Sequence, residues 1–159
     1  MTSCSGVPRV FAPIAFVLLL VPGAALAQTP AVPRADLFGG VAFFNEDGYT
    51  FTGPQISGAF RTGRHFGVVG DIAFYEERTT YMGGVRVYGT GSKVDVFGQF
   101  LVGSAPLDDI GFQPGVGVDI HLGSRAAIRA AFDVKLAADD AFYVGTRFST
   151  GLVIKLGRQ

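Results

Sequence analysis

The chain has 159 residues with 48% hydrophobic side chains, 16% charged ones and no net charge. That length suits one domain, and so few charges among so many apolar side chains exclude a disordered chain. Neutrality gives no support to a nucleic-acid partner, and a single cysteine excludes a disulfide framework or a multi-cysteine metal centre. Glycine, at 23 residues, is about twice as frequent as average.

Residues 10–21 (VFAPIAFVLLLV) follow Arg9 and precede Pro22-Gly23 and the small-x-small run Ala25-Leu26-Ala27. A basic start, a short apolar core and a small-residue exit predict a secretory signal peptide over 1–27. A spanning helix needs ~20 apolar residues, more than this Pro-interrupted stretch supplies. Cys4 precedes the apolar core and leaves with the signal, so the mature chain carries no cysteine. Residues 28–33 (QTPAVP) read as a flexible lead-in.

From residue 34 onward the pattern has period two. Residues 34–44 and 53–61 are the less regular of eight candidate strands. In 65–75, Phe66, Val68, Ile72 and Phe74 oppose Asp71; in 79–89, Tyr81, Val85 and Val87 oppose Arg86. In 92–104, Val94, Val96, Phe100 and Val102 oppose Lys93, Asp95 and Gln99; in 114–122, Val116, Val118, Ile120 and Leu122 oppose Asp119 and His121. Residues 126–136 alternate most clearly, with Ala126, Ile128, Ala130, Phe132, Val134 and Leu136 against Arg129, Asp133 and Lys135. In 142–156, Phe142, Val144, Phe148, Leu152, Ile154 and Leu156 oppose Tyr143, Arg147, Ser149 and Lys155. Each segment is a strand with one apolar side.

The connectors alternate as well. Residues 62–64, 89–92 and 123–125 are short Gly-bearing turns that fit tight hairpins. The other four carry acidic residues: Glu46 and Asp47, Glu76 and Glu77, Asp108 and Asp109, Asp139 and Asp140. Eight strands joined by seven hairpin connections close most simply into an up-and-down barrel without exposed edges. The predicted fold is therefore an all-β, eight-stranded antiparallel transmembrane barrel over 34–157, with turns at one end and acidic loops at the other.

Face chemistry argues for the membrane form, with apolar side chains outward and charges in the lumen. Symmetric hairpins place Arg86 opposite Asp95, Asp119 opposite Arg129 and Asp133 opposite Arg147, with Asp71 near Arg86. These seven residues form a predicted luminal ion-pair network. Phe60 and Phe66 flank one turn and Phe74 and Tyr81 flank an acidic loop, as aromatic girdles would.

Gly115-Val116-Gly117-Val118-Asp119-Ile120, Ala127-Ile128-Arg129-Ala130 and Phe148-Ser149-Thr150-Gly151-Leu152-Val153 carry a resemblance to a known family. Over roughly 35–157 the chain resembles the small outer-membrane β-barrel domain family that includes the barrel of OmpA, these stretches matching its sixth, seventh and eighth strands. The resemblance implies a barrel in a Gram-negative outer membrane, loops outside and turns in the periplasm. It also implies outer-membrane lipid, lipopolysaccharide and the barrel insertion machinery as partners. Two departures stand out: the chain ends Lys155-Leu156-Gly157-Arg158-Gln159 rather than in an aromatic residue, and no peptidoglycan-binding domain follows.

No catalytic, cofactor or metal constellation is expected. His65 and His121 fall beside turns, read as turn-proximal polar residues, and Ser124 has no placed orienting acid. The acidic doublets read as solvated loop tips, although carboxylates also suit divalent cations between lipopolysaccharide head groups. The functional expectation is a monomeric, non-enzymatic outer-membrane barrel with a structural, envelope-stabilising or surface-adapter role. The alternatives are a narrow pore and a soluble periplasmic ligand-binding barrel with its faces inverted.

Overall fold

The structure is a computed structural model, and it describes residues 34–46, 48–76, 78–104, 110–138 and 142–157. The signal segment 1–27, the lead-in 28–33 and the acidic residues Asp47, Glu77, Asp108, Asp109, Asp139 and Asp140 lie outside the described residues.

Eight strands run in chain order: β1 (Ala35–Glu46), β2 (Tyr49–Arg61), β3 (Phe66–Tyr75), β4 (Arg78–Gly89), β5 (Val94–Ser104), β6 (Ile110–His121), β7 (Ala126–Ala138) and β8 (Phe142–Leu156). Each pairs antiparallel with its sequence neighbours, and β8 pairs with β1, so the sheet closes into a barrel in the order β1 to β8. Closure leaves no strand edge for another chain to template.

The strands extend past their expected limits. β1 continues through Asn45 and Glu46, β2 starts at Tyr49, and β6 starts at Ile110. Paired hairpin arms such as Glu46↔Tyr49 and Ser104↔Ile110 carry the ladders beyond the alternating segments. Hydrogen bonding, unlike hydrophobic alternation, does not stop where side chains turn polar.

The two faces are chemically inverted relative to a soluble domain. Outward side chains include Leu37, Ile56, Phe66, Val85, Val116, Ile128, Leu152 and Ile154, all substantially exposed. Inward positions hold aspartates, arginines, lysines and glutamines, among which Asp133 has no exposed surface. Apolar packing inside is confined to small clusters, such as Ala42, Phe44, Ala73 and Tyr75, or Phe38, Ala127 and Val153. An outward apolar band around a polar interior is the arrangement lipid demands.

Two of the expected hairpin pairs form as register neighbours: Asp119↔Arg129 and Asp133↔Arg147. The third does not. Arg86 lies opposite Gln99, and Asp95 instead faces Asp119 across β5–β6. The β4–β5 connection is wider than a tight hairpin: Gly89↔Val96 is the last pair, and the Gly91 N–H donates to the Asp95 carboxylate at 3.2 Å. Asp95 thus closes the turn, and Arg86 meets a residue four places further along β5. An even displacement keeps every side chain on its own face, so the barrel's inside and outside are unchanged.

Asp71 likewise does not join Arg86. Their register partners are Met82 and Gly67, which sets the two charges at different heights in the lumen.

Candidate functional site

The inward charges and amides form a column along the barrel axis. At the turn end, Lys155 on β8 donates to Asp95 on β5 at 2.8 Å, and His121 Nε2 lies 2.9 Å from the same carboxylate and 2.7 Å from Lys155 Nζ. Arg61 on β2 approaches Asp95 at 3.9 Å and stacks its guanidinium over the Tyr88 ring at 3.7 Å. His121, expected as a turn-proximal polar residue, is part of this group. His65 is not: its Nδ1 contacts the Tyr88 carbonyl at 3.2 Å.

One level further in, Arg129 forks onto Asp119, Nε to Oδ1 at 2.7 Å and Nη2 to Oδ2 at 2.9 Å. This planar, bidentate pairing is among the strongest a side chain makes. The same Nη2 reaches Asp36 on β1 at 3.1 Å, and Asp36 also lies 3.6 Å from Arg86 and accepts from the Tyr88 hydroxyl at 3.3 Å. Arg86 and Arg129 share the Phe97 ring, at 4.4 and 4.8 Å.

Gln99 joins this level to the next. Its carbonyl oxygen accepts from Arg86 Nε and Nη2 at 3.1 and 2.7 Å, while its amide donates to Asp133 Oδ1 at 2.7 Å. Arg147 then holds Asp133 at 2.9 Å and reaches across the bore to Asp71 on β3 at 2.7 Å. Asp71 also accepts from Gln55, and the Gln113 carbonyl, with its amide oriented to face donors, accepts from Arg147 Nε at 3.1 Å. Towards the loop end, Lys135 lies 5.5 Å from the Phe44 ring, below the Arg78–Glu46 bridge of 2.9 Å.

All seven predicted network residues therefore face the lumen, in company that pairwise hairpin geometry does not supply. Asp36, Gln55, Arg61, Gln99, Gln113 and Lys155 complete the column, and most of the added bonds run between strands far apart in the chain. Their sequence signal is the continuation of the polar face: Gln99 and Lys155 already fall on it. Of the acidic loop residues, Glu46 pairs with Arg78 and Glu76 is exposed.

Glycine on β6 makes the room this column needs. A Cβ on Gly115 would collide with the Asp133 carboxylate, and one on Gly117 with the Phe97 ring. The glycine-rich stretch of β6 is therefore a recess for bulky neighbours on β7 and β5.

Chemically the column is a set of buried charges, most of them paired, spanning the bore. Arg129 and Arg147 are essentially inaccessible, and the described residues contain no group of three or more His, Cys, Asp or Glu placed to hold a metal.

Solved structures share this architecture. OprG from Pseudomonas aeruginosa matches with a TM-score of 0.61 at 13% identity, over 82% of this chain and 99% of that one. Neisserial surface protein A matches at 0.55 and 10% identity, over 77% and 96%. A designed transmembrane β-barrel also matches at 0.61 and 10% identity, over 80% and 100%. These likenesses establish the eight-stranded outer-membrane barrel fold. No protein-family model matches the chain, and no curated protein sequence matches it. The expected kinship with OmpA is thus supported as architecture and not as family membership. That a designed barrel fits as well as OprG makes the point physically: the fold follows from patterning, and role must be argued from this chain's own side chains.

Proposed function

We propose that the protein is a non-enzymatic integral outer-membrane barrel whose lumen is a structural strut rather than a passage. The observation that carries this is the Arg147–Asp71 bridge spanning the bore from β8 to β3, above the Arg129–Asp36 bridge from β7 to β1. One ion pair across the bore and a second between β7 and β1 at the next level, linked through Gln99, obstruct an interior that is narrow in any eight-stranded barrel. Unpairing one would leave a buried charge, at ~3–5 kcal/mol.

In this reading residues 1–27 direct export and are removed, the turns face the periplasm, and the acidic connectors face outward. Outer-membrane lipid and lipopolysaccharide surround the apolar band, and the barrel insertion machinery seats the chain as a monomer. The role is to stabilise the envelope or present the outer connectors. A soluble ligand-binding barrel would need its apolar side chains inward, and the described residues have the opposite arrangement.

The test combines fractionation, boiling-dependent migration in detergent gels and planar-bilayer recording. Recovery in outer membranes with heat-modifiable migration and no discrete conductance is expected. A soluble periplasmic pool would remove the membrane reading, and stepwise currents would replace the strut with a narrow pore.

A further inference from the structure

The turn-end half of the lumen has more positive charge than its own carboxylates balance. Its buried cations are Arg61, Arg86, Arg129 and Lys155, and its buried anions are Asp36, Asp95 and Asp119. The hydrogen bonds are unevenly shared as well. Asp95 is taken by Lys155, His121 and the Gly91 N–H, leaving Arg61 a single approach of 3.9 Å. Among the described residues Arg61 Nε and Nη1, Arg86 Nη1 and Arg129 Nη1 are buried donors with no acceptor within hydrogen-bond distance, Arg86 Nη1 standing 3.6 Å from Asp36.

These donors belong to one neighbourhood. In register, Arg61 and Arg86 flank Gly67, one strand away on either side. The position between them therefore carries no side chain, and a Cβ there would meet the Phe60 carbonyl oxygen at 2.8 Å and the Tyr88 ring at 3.2 Å. Tyr88 supports Arg61 with its ring and bonds Asp36 with its hydroxyl, and Asp36 contacts both Arg86 and Arg129.

We propose that this half of the lumen is a binding site for one small monovalent inorganic anion of the chloride class, held chiefly by Arg61 with Arg86 beside it. Water alone would satisfy the N–H groups but not the surplus charge, and an uncompensated buried cation is strongly destabilising. One monovalent anion supplies the acceptor and balances the charge together. Asp36, wedged between Arg86 and Arg129, keeps more highly charged anions out by repulsion.

The test uses the refolded barrel in detergent at constant ionic strength, with sodium chloride, bromide, phosphate or gluconate as the salt. The gel-shift unfolding midpoint should rise saturably with chloride and bromide and stay level in phosphate and gluconate, since ligand binding to the folded state stabilises by mass action. Arg61→Met should weaken the apparent chloride affinity at least tenfold, and Arg61→Lys should weaken it less. Arg78→Gln, at the opposite end, should leave it unchanged. Bromide-soaked crystals of the unaltered protein should show an anomalous peak at Arg61. Equal midpoints in chloride and gluconate, stabilisation by phosphate alone, or no bromide peak at Arg61 would each overturn the proposal.

Discussion

Arg147 on β8 and Asp71 on β3 meet across the lumen at 2.7 Å, although 76 residues separate them in the chain. The same guanidinium holds Asp133 on the adjacent strand at 2.9 Å. Arg147→Met should therefore strip two carboxylates of their cation and destabilise the barrel by ~3–5 kcal/mol. Asp71→Asn, which keeps an acceptor for Arg147, should cost less. Urea unfolding in lipid vesicles measures both, and a double-mutant cycle should return a coupling of ~0.5–3 kcal/mol between the two positions. Additive effects would mean that the bridge does not hold in the membrane.

Gln99 ties the two interior levels together through both ends of its amide. Replacement by Leu keeps the volume and removes the tie, leaving Arg86 donors and an Asp133 oxygen unpaired at ~1–3 kcal/mol for each group. Amide exchange should then protect the two halves unequally. A variant that unfolds as the parent does would show that the levels are independent.

The β4–β5 register is open to direct chemical proof. Val85 pairs with Phe100, both outward. Cysteines at these two positions should cross-link on mild oxidation, because directly opposed Cβ atoms lie ~4.5–5.5 Å apart. Cysteines at Val85 and Val96, the pair a symmetric tight turn would align, should remain reduced.

Glycine substitutions should divide by face. Gly115→Ala forces a methyl into the Asp133 carboxylate, at an expected cost of ~1–3 kcal/mol for overpacking. At Gly70, outward on β3, an added Cβ meets nothing within 4 Å, and alanine should be neutral to within ~0.5 kcal/mol. Parallel denaturation of the two variants decides whether β6 glycines serve the interior.

Ile128 and Arg129 are neighbours that face opposite ways, one 41% exposed and the other 2%. A spin label at Ile128 should be quenched by lipid-dissolved oxygen. Ile128→Arg should destabilise by ~2–4 kcal/mol if the site sits near the bilayer midplane. Quenching by a water-soluble reagent alone would place that face in solvent.

Alternation by itself determined the strand number, the two faces and the up-and-down order, because a period of two assigns each side chain to one side of the pleat whatever its partners are. Turn position in the sequence determined Asp119–Arg129 and Asp133–Arg147, since a short symmetric hairpin carries its register with it. Asp95 escaped that logic because its carboxylate closes the β4–β5 turn and so changes the register that local symmetry implies. The tertiary structure alone decided which charges meet across the bore. Arg147–Asp71, Arg129–Asp36 and Lys155–Asp95 join strands that are not neighbours; the first two reach β3 and β1 only because β8 pairs with β1, and the third needs the sheet curled so that β5 and β8 face the same bore. Within the strands the charges are concentrated inside, where the closed sheet pairs most of them, while the plentiful apolar side chains are left facing out.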